Sequence, residues 1–118
     1  MINLLVDEAY AFDYLSILQI KKNKQPDSYN AWIECYKYLQ NQFDDQKWIF
    51  MINSQEYEQM INANELTFDA VDKAKNNEIT AQYVDQCNYK RYLAKNNFQK
   101  KFFNSPLCEV KIGYNNYE

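Results

Sequence analysis

The segment INLLVDEAYAFDYLSIL, residues 2–18, is the most apolar part of the chain and decides its fold. When its residues are placed at about 100° each, as in a helix, one broad face is apolar and a second apolar strip lies beside it. The broad face comprises Leu4, Leu5, Ala11, Phe12, Leu15 and Leu18, and the strip comprises Ile2, Val6, Ile17 and Ile20. The pattern predicts a long helix over 2–22 that is central in the domain or shared with another chain. A lysine cluster followed by Pro26 predicts its end.

Two further segments have the spacing of amphipathic helices. Asp27 or Ser28 is expected to cap a helix over 29–43. Thr80 is expected to cap the last helix, over 81–103.

The middle of the chain is less regular. The run 48–52 is apolar and short enough for a buried strand, but the acidic pair before it, residues 44–45, is typical of a helix start. We therefore favour short helices here, the second of them capped by Ser54. Thr67 is predicted to cap one further short helix.

The composition favours helices throughout. Glycine occurs once in 118 residues, at Gly113, whereas the tight turns of hairpins and sheets need glycine. We predict a single all-α domain over 1–118, a compact bundle of about five helices whose long first and last members pack together. The tail, including the weakly alternating segment 107–113, is expected to be irregular or weakly extended.

The sequence also excludes several kinds of site. It contains no histidine, and therefore neither a histidine general base nor a His-ligated zinc or di-iron centre. A single glycine cannot form a phosphate-binding loop. The cysteines Cys35, Cys87 and Cys108 include no close pair, unlike a zinc site or a disulfide framework. No cofactor and no metal are expected.

The first residues of the chain and its net charge indicate where the protein acts and what it can bind. The stretch MINLLVDEAY has no basic segment and carries acids within its apolar run, so we expect neither a signal peptide nor a membrane span. Unpaired cysteines then make the cytoplasm the expected compartment. The net charge of −3 is uneven, with an acidic first half and a slightly basic second half. This balance is too acidic for a dedicated nucleic-acid coat, although a basic face on the last helix remains open.

Three carboxylates interrupt the opening segment, and Glu8 falls in the middle of its apolar face. Asp7 falls at the edge of this face and Asp13 within the second, partly apolar strip, and both are expected to reach water. A carboxylate that is buried without a partner is strongly destabilising. Arg91, the chain's one arginine, also falls within an apolar stripe, that of the last helix, and a guanidinium can bind both carboxylate oxygens. We therefore predict a buried structural pair between Glu8 and Arg91.

A catalytic interpretation would use the carboxylates. Glu8 with Glu65, Asp69 and Asp72 could bind Mg²⁺, which needs only oxygen ligands, as in all-α nucleotide pyrophosphohydrolases. Those enzymes carry a Glu-x-x-Glu on one helix and a Glu-x-x-Asp on another, and this chain has neither. The acids over 65–72 are more simply explained as a helix start favoured by the helix dipole. A Mg²⁺-dependent nucleotide hydrolase is therefore the second alternative.

The first alternative is a DNA-binding regulatory protein. Near residues 70–90, Ala74, Ile79 and Val84 fall close to the small and apolar positions of a helix-turn-helix, and lysines follow them. The turn position that usually holds glycine is, however, Glu78. The same residues equally fit a plain helix–loop–helix whose lysines are solvated.

The favoured interpretation is a protein-interaction or accessory module. Its basis is the two-sided apolar first helix and the 11 tyrosines, because Tyr and Trp suit interfaces that are apolar at one end and polar at the other. We expect a non-enzymatic protein that self-associates, for instance as a homodimer. The sequence does not identify its other protein partner.

Three stretches, MINLLVDEAYAFDYLSIL, FDAVDKAKNNEIT and NYKRYLAKNNFQKKFF, carry a resemblance that extends over most of the chain. They resemble uncharacterised small proteins of tailed marine cyanophages and related ocean metagenomic sequences. The resemblance includes no motif of known chemistry, so it assigns no site residues. It implies a phage-encoded product that acts in the cytoplasm of the bacterial host on a host protein.

Overall fold

The computed structural model describes residues 2–108, which form five α-helices, a single 3-10 turn and no strand. The elements are α1 (Glu8–Lys24), the turn Pro26–Ser28, α2 (Tyr29–Gln40), α3 (Asp45–Ile52), α4 (Gln55–Lys75) and α5 (Ala81–Phe103). The predicted all-α bundle is confirmed, and the ambiguous run 48–52 is helical.

The first helix begins at Glu8, so the prediction of a helix from residue 2 was wrong. Residues 2–7 are not helical. Asp7 occupies the N-cap position, but its side chain makes no cap hydrogen bond to α1. Its carboxylate instead accepts the backbone N–H of Cys108 at 2.8 Å. A carboxylate committed to another segment cannot also satisfy the first turn of the helix.

Side-chain caps begin α3 and α4, as the sequence predicts. Asp44 Oδ1 accepts the backbone N–H of Lys47 at 2.7 Å at the start of α3. Ser54 Oγ accepts the backbone N–H of Tyr57 at 3.0 Å at the start of α4. Each cap satisfies one of the donors that a helix start leaves without an intrahelical partner.

Two expected boundaries differ from the structure. Thr67 starts no helix: it lies inside α4, where its hydroxyl donates to the carbonyl of Ala63 at 2.8 Å. A threonine that finds an acceptor one turn back can stay within a helix, which is why it is an ambiguous cap signal. α2 ends at Gln40, before the turn at 41–43, and Ser28 makes no side-chain cap at its start.

α4 and α5 form a long antiparallel pair. The connection 76–80 turns through Asn77, whose φ is 60°, and ends at Thr80. The Thr80 hydroxyl caps α5 by accepting a backbone N–H of its first turn at 3.2 Å. At the other end of the pair, Lys101 Nζ of α5 lies 3.6 Å from Glu56 Oε1 of α4.

The core is an aromatic cluster centred on Phe12 of α1. The Phe12 ring contacts Phe43, Trp48, Tyr57 and Phe98 with centroid distances of 4.8 to 6.4 Å. These rings come from the turn after α2, from α3, from α4 and from α5, so one side chain joins the whole bundle. The shortest distance, to Phe98, confirms that the first and last helices pack together.

The chain after α5 folds back towards the start of α1. The backbone N–H of Leu107 donates to Asn96 Oδ1 at 3.4 Å, and that of Cys108 donates to Asp7. The sequence predicts that the segment 107–113 is irregular or weakly extended. Its residues from 109 onward lie outside the described part of the chain. Within the described part of the chain, every helix is too short or too polar to cross a membrane.

Candidate interaction surface

Arg91 binds Asp13 and not Glu8. Its Nη2 lies 3.3 Å from Asp13 Oδ2, and its Nη1 donates to Asn88 Oδ1 at 3.2 Å. The predicted buried pair of Glu8 and Arg91 is therefore wrong in its carboxylate. Asp13, which the sequence places near water, is buried, whereas Glu8 is exposed. The prediction is correct in that a carboxylate of α1 contacts the arginine of α5.

Asp13 belongs to a closed network of buried polar side chains. Asn64 Nδ2 donates to Asp13 Oδ1 at 2.9 Å and to Ser16 Oγ at 2.7 Å. Ser16 Oγ in turn donates to the backbone carbonyl of Asp13 at 2.7 Å. These bonds tie α1 to α4, and Arg91 extends the network to α5. The side chains of Asp13, Ser16 and Asn64 satisfy one another, which suits a role in fixing how the helices pack.

Gln99, a buried side chain of α5, caps the first helix from across the bundle. Its Oε1 accepts the backbone N–H of Ala9 at 2.8 Å, and its Nε2 donates to Glu8 Oε1 at 2.9 Å and to Ser105 Oγ at 3.2 Å. Sequence reasoning missed this residue. Cap signals are recognised among sequence neighbours, whereas Gln99 lies 90 positions from the N–H that it caps.

The carboxylates considered for Mg²⁺ do not converge. Across residues 2–108, no three Cys, Asp or Glu side chains lie where they could hold one metal ion. Glu65, Asp69 and Asp72 are exposed on α4, and Glu8 is bound by Gln99. Their arrangement is that of a solvated helix surface.

The helix-turn-helix-like segment consists of the end of α4, the connection and the start of α5. Residues 59–66 of α4 face residues 90–97 of α5 along a shared groove, so the two helices lie side by side and antiparallel. The two helices of a helix-turn-helix instead meet at about 90–120°. The segment therefore has the geometry of a long helical hairpin.

Tyr57 lines a polar groove and is a strongly perturbed titratable group of the described part of the chain. The Tyr57 hydroxyl donates to Gln19 Oε1 at 3.4 Å. Burial raises the pKa of Tyr57 well above its ordinary value, and the neighbouring Cys35 raises it further. Burial also raises the pKa of the Cys35 thiol. Both groups are therefore protonated at neutral pH, where a neutral thiol is a weak nucleophile.

Four exposed, large apolar side chains lie close together in the segment of residues 2–6, which we call the apolar arm. Its large side chains are Ile2, Leu4, Leu5 and Val6, with relative exposures of 84%, 76%, 105% and 45%. None of them belongs to the core cluster. Within the described residues, no hydrogen bond joins the arm to the body of the protein. The arm is therefore a run of apolar side chains and backbone groups open to solvent.

The root of the arm is firmly attached. Asp7 is bound to the N–H of Cys108, and the next two residues, Glu8 and Ala9, are bound by Gln99. The Asp7 carboxylate also raises the pKa of the exposed Cys108 thiol. The arm thus projects from a fixed point on the bundle.

No family model, curated protein or solved structure matches this chain. Its function is therefore inferred from the surfaces described above. The closed polar network and the buried tyrosine belong to the packing of the bundle, whereas the apolar arm is directed outwards. The arm is therefore the candidate functional site.

Proposed function

We propose that this protein is a non-enzymatic interaction module that binds a protein partner through the apolar arm. The observation that carries the proposal is the solvent exposure of Ile2, Leu4, Leu5 and Val6 beside a well-packed core. Soluble proteins seldom leave a contiguous run of large apolar side chains uncovered unless it binds something.

The form of the arm indicates the kind of surface that would receive it. In an extended chain, alternate side chains point to opposite sides, so Ile2, Leu4 and Val6 fall on one side. The arm's backbone groups remain available for hydrogen bonds. Once extended against a partner, a segment with these two properties suits an apolar groove or the edge of a sheet.

The energies are consistent with a specific but reversible contact. Burying each of the large side chains contributes about 1.5–3 kcal/mol. Ordering the backbone opposes binding by about 1–2 kcal/mol for each residue fixed. The attached root lowers this entropic loss, because the residues after the arm are already ordered.

We further propose that the partner is a cytoplasmic protein of a bacterial host. The resemblance to small cyanophage proteins supports this setting. A phage product that acts by contact needs a binding surface and no catalytic centre, which suits a small bundle with one exposed arm.

The test is a double substitution in the arm, Ile2→Ser with Leu4→Ser, which removes two large side chains from the same side of the segment. Its matched control, Ile49→Ser with Phe50→Ser, removes two other exposed apolar side chains, those of α3. Partners from a host lysate are first identified by crosslinking and then purified, and their affinities are measured by titration. We expect the arm variant to bind at least about a hundredfold more weakly, since two side chains that the partner would bury are lost. The control should bind as the wild type does.

The melting temperature separates a loss of binding from a loss of fold. Because the arm lies outside the core, both variants should melt close to the wild type. Undiminished binding by the arm variant, or equal loss in both variants, would overturn the proposed function.

A further inference from the structure

The groove shared by α4 and α5 has an apolar floor. Four side chains form this floor, namely Ala63, Leu66, Leu93 and Ala94. Leu93 is 39% exposed, although it lies in the middle of α5. The groove has a volume of about 310 Å³, at the lower end of the range for ligand pockets. It is therefore large enough for a few amino-acid residues, and we call it the α4–α5 groove.

The rim of the α4–α5 groove is polar, and its charge is positive. Gln59 and Asn62 of α4 and Asn97 of α5 line it with side-chain amides that are open to solvent. Among the described residues, Lys90 is the one charged side chain in the lining, and it forms no salt bridge with any of them. An anionic group on an otherwise apolar ligand is therefore complementary to this groove.

The lysine lies at one end of the groove and part of the amide rim at the other. Because α4 and α5 are antiparallel, Lys90 lies at the same end as Leu66. For the same reason Asn97 lies at the same end as Gln59. Seven residues of helix separate Lys90 from Asn97, which is about 10 Å. An extended peptide of about three residues covers the same distance.

We propose that the α4–α5 groove binds the C-terminal end of a protein chain whose last residues are extended and apolar. The terminal carboxylate pairs with the Lys90 ammonium. Alternate side chains of the last three residues lie on the floor, against Leu93. The amides of Gln59, Asn62 and Asn97 are both donors and acceptors, so they can hydrogen-bond the backbone of the bound segment.

The amide rim favours a peptide over an alkyl carboxylate such as a fatty acid. An alkyl chain would cover the amides at the edge of the floor without offering them a hydrogen bond, which is unfavourable. A peptide instead supplies a backbone carbonyl and, except at proline, an N–H from every residue. The groove uses no residue of the apolar arm, so this inference does not depend on the function proposed for the arm.

The test compares two synthetic tripeptides, acetyl-Leu-Ala-Leu with a free carboxylate and the same tripeptide as its C-terminal amide. Binding to the full chain is followed by two-dimensional NMR at low ionic strength. We expect the acid to bind with a Kd of about 0.1–1 mM, ordinary for so small a ligand, and to shift the signals of 59–66 and 90–97. The amide should bind about threefold more weakly, because it lacks the charge that attracts Lys90.

Two pairs of variants separate the charge from the floor. Lys90→Gln should abolish the preference for the acid, whereas Lys100→Gln, at an exposed position of the same helix, should keep it. Leu93→Ser should weaken binding of both tripeptides about tenfold. Its control, Tyr83→Ser, changes another α5 side chain of 39% exposure, which does not line the groove, and should bind as the wild type does. Circular dichroism checks that each variant is folded.

Four results would overturn the proposal. They are no NMR shift at about 10 mM peptide, equal binding of acid and amide, an equal effect of Lys100→Gln and Lys90→Gln, and tighter binding of octanoate than of the peptide acid. The last result would make the ligand a fatty acid. The arm variant Ile2→Ser with Leu4→Ser should bind the tripeptide as the wild type does, so failure here leaves the arm's proposed function untouched.

Discussion

Asp13 is the most deeply buried carboxylate among the described ionic contacts, and its surroundings explain why a charge is tolerated there. It receives hydrogen bonds from Asn64 and from Arg91. The arginine contact is a single bond of 3.3 Å, and the buried Arg91 Nε has no hydrogen-bond partner among the described residues. The pair is therefore weaker than a two-pronged guanidinium–carboxylate bond.

At this scale, Arg91→Met is expected to destabilise the protein by about 2–3 kcal/mol, because it leaves the Asp13 carboxylate with one partner fewer. The figure lies below the usual 3–5 kcal/mol for a broken buried pair, since 27% of the arginine side chain is exposed. Urea unfolding measures the change. Adding Asp13→Asn to Arg91→Met should recover part of the loss.

The control for this experiment is Glu8→Gln, which removes the carboxylate that the sequence pairs with Arg91. Glu8 is exposed and bonded to Gln99, so its substitution should change stability by less than about 1 kcal/mol. An Arg91→Met protein as stable as the wild type would show that the Asp13 contact contributes nothing.

The carboxylate that binds Arg91 could not be predicted, because the sequence does not determine the axial register between two packed helices. α1 runs antiparallel to α5, with Glu8 at the level of Gln99. Arg91 lies eight residues earlier, about 12 Å along the axis, where Asp13 is found. Periodicity placed Arg91 on the correct face, but continuous apolar stripes on both helices permit several registers.

At the scale of whole elements, local signals predicted boundaries wherever a cap is formed by neighbouring residues. Thr80 correctly marks the start of α5, and Ser54 that of α4. The errors occur where the deciding contact is distant. The start of α1 depends on Gln99, and Thr67 is satisfied within α4 by the carbonyl of Ala63.

The distant cap gives a prediction for α1. Gln99→Leu keeps the volume of the side chain but removes the acceptor for the N–H of Ala9 and the donor to Glu8. We expect a loss of about 1–2 kcal/mol and faster hydrogen exchange in the first turn of α1 than in its middle. The control Gln82→Leu changes an exposed glutamine of the same helix. Unaltered exchange in the first turn of the Gln99→Leu protein would contradict the capping role.

At the scale of the whole molecule, the scarcity of glycine and the amphipathic spacing were sufficient to predict the all-α class. The spacing also predicted the packing of the first helix against the last. It could not predict which apolar residues remain outside the core. Periodicity assigned Leu4 and Leu5 to the same helical face as Phe12, yet only Phe12 lies within the helix and the core. The candidate site therefore appeared only with the structure.

The aromatic cluster gives the prediction for global stability. Phe12→Ala removes a fully buried ring that contacts four others, and should lower the free energy of unfolding by about 3–5 kcal/mol. That loss is a large share of the roughly 5–15 kcal/mol that stabilises a typical domain. Thermal melts followed by near-ultraviolet circular dichroism measure it. Phe50→Ala, at an exposed position, is the control and should melt close to the wild type.

The position of Cys108 makes the protein well suited to site-specific labelling. Cys87 is buried and Cys35 is half-buried, so a maleimide dye will attach first to Cys108. Since the Asp7 carboxylate raises the pKa of this thiol, less thiolate is present at neutral pH and attachment speeds up as the solution is made alkaline. The dye then lies one hydrogen bond away from the segment that leads into Ile2–Val6. A change in the fluorescence of the dye would then report directly the binding of a molecule to those side chains.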